Sequence, residues 1–266
     1  MAIDSAHDLT PIADAYRTRG FAKVSGILDD TSLKDIEEVL RAFHAQWLAR
    51  PATQRHPRAI NSAYLTEEGV LSSEQRMTLF SVVSHERILA LLQAATGAPL
   101  AFMNTQLFFN PVDPSQKNYW HRDIQYAVLS EEDQKAQLST RHVLHVRLAL
   151  QDEPGLELVP GSHRRWDTAQ ERAVRLAEGH EVHEALSTGC VVPLQRGDVL
   201  LFSANMLHRG LYGLNRFAFD MLYCDPLPDL LQYARARCLP SDEMLARLSH
   251  PAVFIRTRDV LNTLSL

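Results

Sequence analysis

Two histidines and one aspartate are the residues of this chain best suited to chemistry. His121-Arg122-Asp123 forms a compact pair of donors, and His208 follows far downstream, past the run Gly197-Asp198-Val199-Leu200-Leu201-Phe202. Two imidazoles and one carboxylate can cap one face of an octahedral ion and leave the opposite positions open, the donor set of non-haem Fe(II) oxygenases. The first pair has a geometric rationale. On an extended strand residues i and i+2 share a face, so His121 and Asp123 reach one ion together while Arg122 points away. An HxD pair is weak evidence alone. It gains weight from His208, which stands at the far end of a buried-strand pattern opened by a Gly-Asp turn.

Rival readings of the same residues fare worse. His-Arg-Asp also occurs in the catalytic loop of protein kinases, but there an Asn follows at the position held here by Val128, and neither Asp-Phe-Gly nor a glycine-rich loop is present. His142 with His145, and His180 with His183, lack a carboxylate and third ligand in a recognisable frame. His180-Glu181-Val182-His183 also departs from the HExxH zinc pattern. These four are expected to be solvated or satisfied histidines. Arg216 is different. It opens the apolar run Phe217-Ala218-Phe219-Asp220-Met221-Leu222-Tyr223. A cation facing inward from such a strand needs a partner, and a planar guanidinium suits a carboxylate.

Bringing donors from distant segments to one ion requires a scaffold of strands. Leu100 to Phe109, Tyr119 to Val128, Val143 to Leu150, Leu156 to Val159, Cys190 to Leu194, Val199 to Phe202 and Arg216 to Tyr223 all have strand character. Many short strands separated by turn signals predict a sandwich or barrel rather than alternating βαβ units. Helices flank them. Thr10-Pro11 opens one that ends at Arg19-Gly20, before a short strand over Phe21 to Ile27. Ser32 with Asp35 suggests the cap of the next. That helix carries Leu33, Ile36, Val39, Leu40, Phe43 and Trp47 on one face. Arg50 to Ser62 is expected to be a loop and Glu86 to Ala95 a helix. Thr168 to Glu178 has the pattern of a helical insert, and Pro228 to Leu264 that of a helical tail.

Composition narrows the class. The 266 residues are 45% hydrophobic and 22% charged, which suits an ordinary globular chain, here expected as one domain. The expected division is a helical flank over 1–98, a core over 99–225 and a tail over 226–266. A net charge of −5 and short, mixed arginine clusters give no basic stripe for nucleic acid. No apolar run reaches the roughly 20 residues of a membrane span. Met1 to Asp8 has no leader pattern. Cys190, Cys224 and Cys238 form no CxxC pair and fit no disulfide framework. A cytoplasmic protein with reduced cysteines and a small-molecule substrate is expected, its oligomeric state open.

Trp120-His121-Arg122-Asp123, Glu157-Leu158-Val159-Pro160-Gly161-Ser162-His163, Gly197 to Phe202, His208 and Arg216 together resemble the phytanoyl-CoA dioxygenase family of Fe(II)/2-oxoglutarate-dependent oxygenases. The resemblance covers residues 99–225 well, and Pro-Gly-Ser-His is its most specific string. It implies a mainly β fold with flanking helices, a double-stranded β-helix (jelly-roll, cupin-like) barrel. It implies that His121, Asp123 and His208 bind Fe(II). It also implies that Arg216 pairs with the distal carboxylate of 2-oxoglutarate, and that O2 is consumed with release of succinate and CO2 as an unactivated C–H is hydroxylated. An aspartate at position 123 fits a hydroxylase rather than a halogenase.

The chain departs from the family pattern in places. Arg122 replaces the usual Gln, at a position expected to face outward. The stretch from His208 to Arg216 is short, which keeps Arg147 as the alternate cosubstrate arginine. Gln151 to Gly155 is a shortened connection. Asn104 and Gln106 share a strand face, either toward the cosubstrate or against backbone at a sheet edge. Tyr126 and Arg147 are candidate substrate contacts. Trp120, Ser162 and His163 are expected to pack or stabilise turns. A non-catalytic or 2-oxoglutarate-independent metal-binding jelly roll is the alternative, one that would not need Arg216.

Overall fold

A computed structural model describes residues 9–264, apart from 55, 139 and 214. Met1 to Asp8, where no leader pattern was found, lie outside the described residues. Among the described residues the strands are β1 (Phe21–Val24), β2 (Asn61–Ala63), β3 (Ala101–Phe109), β4 (Val143–Ala149), β5 (Glu153–Leu158), β6 (Cys190–Leu194), β7 (Val199–Ser203), β8 (His208–Gly210) and β9 (Phe217–Cys224). They form two antiparallel sheets, ordered β1-β7-β4-β9-β3-β2 and β6-β5-β8. One apolar cluster draws Phe21, Leu200 and Phe202 from the larger sheet and Leu156, Leu158 and Val192 from the smaller. The two inner faces therefore pack on each other, which is the jelly-roll arrangement. Among the described residues, backbone hydrogen bonds do not close the sheets into one continuous barrel.

Strand alternation sorts the larger sheet's side chains. On β4, Leu144, Val146 and Leu148 join the outer core, as do Phe217, Phe219, Met221 and Tyr223 on β9. His145, Arg147 and Asp220 are left for the inner face, by the period of two. The register sets Arg147 opposite Asp220. A shift between Phe102 and Asn104 on β3 lets Met103 and Asn104 both line the inner cavity.

The helices are α1 (Thr10–Arg19), α2 (Asp30–Ala49), α3 (Ser73–Val83), α4 (Glu86–Thr96), α5 (Glu131–Leu138), α6 (Ala169–Arg175), α7 (Pro228–Leu231), α8 (Asp242–Arg247) and α9 (Ala252–Leu264). The predicted α2 face is buried in full: Leu33, Ile36, Val39, Leu40, Phe43 and Trp47. Each such side chain contributes roughly 1.5–3 kcal/mol on burial. Its cap is Asp29, which accepts from the Ser32 N–H, so the capping signal is read three residues later than it acts. α3 lies in a stretch for which no element was predicted, and is opened by a capping box between Ser72 and Gln75. Gly20 closes α1 at φ +86°, and a Cβ there would stand 2.5 Å from Nδ1 of His163, so only glycine suits both demands.

Two expectations are corrected. Tyr119 to Val128 is not a strand: His121 makes one bridge to His208, and Asp123–Tyr126 is a 3-10 turn. The chain bends because the Asp123 N–H turns to the Ala204 carbonyl and the Gln125 side chain accepts the Arg122 N–H. The Glu153-Pro154-Gly155 segment, expected in a connection, begins β5, with a register shift between Glu153 and Leu156. No helix among the described residues is long and apolar enough to cross a membrane.

Candidate metal centre and its cavity

His121 and His208 come from opposite ends of the core and face each other through backbone. Each N–H donates to the other's carbonyl at 2.9 Å. Their rings lie 4.2 Å apart between centroids. Nε2 of His121 is 3.5 Å, and Nε2 of His208 3.6 Å, from Oδ1 of Asp123. One donor atom from each of the three residues falls within 4.8 Å of the others, a spacing that could hold an ion.

The imidazoles are prepared as ligands. Nδ1 of His208 faces the Met206 carbonyl at 2.9 Å, and Nδ1 of His121 faces the Tyr119 carbonyl at 3.2 Å. A carbonyl only accepts, so each Nδ1 carries the proton and each Nε2 presents its lone pair. Burial lowers the pKa of both, with His208 brought down to about 3, so both are neutral at ordinary pH. Burial alone would raise Asp123, but the hydrogen bond from His145 and the charge of that imidazolium hold its carboxyl well below the usual range. Two neutral imidazoles and one ionised carboxylate are the protonation states that metal ligation requires.

His145 is the residue the sequence did not reveal. Its Nε2 is 2.8 Å from Oδ2 of Asp123 and its Nδ1 is 3.1 Å from Oδ2 of Asp220. Both ring nitrogens must donate, so the ring is an imidazolium. Burial opposes that charge, yet the two carboxylates outweigh it and push the pKa up to about 9. The pairing continues through Asp220 to Arg147 at 3.1 Å and on to Glu153 at 2.9 Å. Engaging Oδ2 leaves Oδ1 of Asp123 directed at the ion position. The available signal was the inward alternation of His145 and Arg147 on β4.

Arg122 points away from the donors, but inward rather than to solvent. It is fully buried, pairs with Asp167 at 2.7 Å, and donates to the carbonyls of Ser162, Asn205 and Arg165. Trp120 is a packing residue, its indole N–H donating to the Glu184 carbonyl at 2.9 Å. The Ser162 hydroxyl accepts the Leu207 N–H at 2.8 Å, fixing the Pro-Gly-Ser-His turn against the start of β8. Arg209 faces away from the cavity, paired with Glu157 at 2.6 Å.

A cavity of about 660 Å³ opens over the three donors, lined also by Asn104, Gln106, Tyr126, Arg147, Tyr212 and Arg216. Oδ1 of Asn104 is taken by the N–H groups of Tyr64 and Thr105, leaving its amide NH2 for the cavity. Tyr126 stands at the mouth, 60% exposed, with its ring 5.9 Å from that of His121. Arg147 already serves two carboxylates. Arg216 is buried between the rings of Phe108 and Tyr212, each 4.8 Å away, and its Nε and Nη1 have no hydrogen-bond partner. Burial and the neighbouring Arg147 pull its pKa down to about 10, still cationic. The Tyr212 hydroxyl beside it is also buried and unpartnered. The short stretch after His208 does reach back: a Cβ on Gly210 would lie 2.6 Å from Nη2 of Arg216. The buried, orphaned donors of Arg216 and Tyr212 fit a dicarboxylate such as 2-oxoglutarate.

The fold is similar to that of AviO1 from Streptomyces viridochromogenes Tue57, at 19% identity and TM-score 0.59, over 84% of this chain and 97% of that one. It is also similar to SnoK, described as a non-heme alpha ketoglutarate dependent carbocyclase from nogalamycin biosynthesis (20% identity, TM-score 0.57, covering 93% and 92%). EctD from S. alaskensis, solved with 2-oxoglutarate and 5-hydroxyectoine, gives 15% identity and TM-score 0.60, covering 96% and 89%. None of the curated proteins compared with the chain matches it. The family model of phytanoyl-CoA dioxygenase (PhyH) matches residues 16–212, from within α1 to just before Arg216, and takes in all three donors. The chain therefore belongs to the phytanoyl-CoA dioxygenase family, as an Fe(II)- and 2-oxoglutarate-dependent dioxygenase that uses O2.

Proposed function

We propose that this chain hydroxylates an unactivated C–H of a small-molecule metabolite, with release of succinate and CO2. The observation that carries it is the buried guanidinium of Arg216, unpartnered at Nε and Nη1, in the same cavity as the donors. His121, Asp123 and His208 hold Fe(II) on one face. Arg216, assisted by the Tyr212 hydroxyl, takes the distal carboxylate of 2-oxoglutarate. Gln106 and the Asn104 amide bound the cosubstrate's side of the cavity, and Tyr126 guards the substrate's entry. Arg147 supports the site by holding Asp220 rather than by binding a third carboxylate. Bound iron, 2-oxoglutarate and O2 supply the oxidant, and the protein positions the reacting C–H and keeps water out.

Anaerobic addition of Fe(II) and 2-oxoglutarate should give a weak visible charge-transfer band that His121→Ala abolishes. A well-folded protein that binds iron but shows no band overturns the cosubstrate assignment. With a turned-over substrate in hand, mass spectrometry decides the outcome: a product that gains one oxygen atom supports hydroxylation, and one that does not rejects it.

A further inference from the structure

We propose that the cavity accepts an uncharged substrate built on a flat, unsaturated ring skeleton; the inference rests on the oxygenase function proposed above. Charge accounting carries the first half. Among the described residues the cations lining the cavity are Arg141, Arg147, Arg216 and the His145 imidazolium. Glu153 and Asp220 balance the charge of Arg147, although its Nη2 has no hydrogen-bond partner, and Asp229 at 3.5 Å balances that of Arg141, whose Nε has none. Arg216 is committed to 2-oxoglutarate. An anionic substrate would find no cation on the cavity wall whose charge is not already balanced, and would have to compete with a resident carboxylate or lose its hydration uncompensated. The lining acids are committed in the same way. Asp123 and Asp220 share His145, and Asp229 has Arg141, so a cationic substrate is no better served. A CoA thioester, with its phosphates, is therefore a poor match to this cavity despite the family's name.

The walls carry the second half. Of the chain's seven tyrosines, all but Tyr16 and Tyr223 line the cavity. Tyr64 and Tyr233 are joined at the rim, the Tyr64 hydroxyl donating to the Tyr233 carbonyl at 3.0 Å. Met103, Leu222 and Leu230 supply an apolar wall close by. Arg235 covers the Tyr64 ring at 3.5 Å and Arg216 the Tyr212 ring at 4.8 Å. The rings of Tyr119, Tyr126 and Tyr233 beside an apolar wall favour a ring system that stacks, with neutral oxygens meeting the tyrosine edges. A volume of about 660 Å³ is within the roughly 300–1,000 Å³ of small-molecule sites and leaves room beside the cosubstrate.

The test uses a matched pair. Protein loaded anaerobically with Fe(II) and 2-oxoglutarate is titrated with 2-(hydroxymethyl)anthraquinone, anthraquinone-2-carboxylate and palmitoyl-CoA, and binding is followed by quenching of intrinsic fluorescence. The neutral ring compound should bind at least tenfold more tightly than either anion. In Asp229→Asn, which frees Arg141, the carboxylate should gain at least fivefold in affinity while the neutral compound changes less than twofold. Equal or tighter binding of either anion, no binding of the neutral compound, or an unchanged carboxylate affinity in Asp229→Asn would overturn the proposal. The charge-transfer band is recorded on the same samples. If it is present and the anions win, only the substrate class fails; if it is absent, the oxygenase function fails with it.

Discussion

His145 links the metal donors to the interior of the larger sheet, and its charge has a measurable sign. Its folded-state pKa is about 9, above the roughly 6.5 of a free imidazole. The stabilisation it brings is therefore complete below about 6.5 and lost as pH rises through about 9. Metal-free protein should lose on the order of 2 kcal/mol, or roughly 4–8 °C in Tm, between pH 6.5 and 9.5. Thermal melts of His145→Gln should show a much shallower decline over that interval. The same substitution frees Oδ2 of Asp123, and iron affinity should fall roughly 10–100-fold. Gly210→Ala displaces the Arg216 guanidinium without touching a donor, so the KM for 2-oxoglutarate should rise about tenfold or more while the melting temperature changes little. At this scale the donors were legible because few residue types bind iron and their frame is recognisable. His145 and Tyr212 were not, because their roles depend on partners from other segments: Asp220 on β9, Asp123 in a turn, and the Arg216 side chain.

Elements were legible wherever apolar residues leave a pattern: one buried stripe on α2, and apolar-rich runs on β4, β7 and β9, which are buried on both faces; β6 was found with its observed bounds. The segment around the metal donors was misread because polar groups, not apolar ones, hold both of its faces. His121 and Asp123 turn to the ion position, while Arg122 is locked into Asp167 and three carbonyls. Polar anchoring, invisible to a hydrophobic pattern, shapes this stretch. Arg122 thereby ties the donor turn to the Pro-Gly-Ser-His turn and to the chain leaving β7. Arg122→Met should destabilise the protein by about 3 kcal/mol in urea denaturation, the lower part of the range for a broken buried pair, because Asp167 keeps Arg175 at 2.6 Å. Iron affinity should fall with it.

For the whole molecule, the packed sheets bring donors that are distant in sequence to one end of an inner cavity, and the flanking segments complete the structure around it. β1 and β2, from the predicted helical flank, extend the larger sheet at its two edges. The jelly roll was legible from the succession of short strands and the family motifs; the cavity's electrical balance was not, since it depends on which arginine meets which acid across the sheets. The reciprocal backbone bridge between His121 and His208 has one more consequence. The chain freedom separating these donors is surrendered during folding, so capturing an ion has little ordering left to do. The centre should work as a socket rather than a clasp, with iron entering and leaving a frame that is already set. Hydrogen exchange at the His121 and His208 amides should accordingly be slow in metal-stripped protein and slow by little more once it is reloaded.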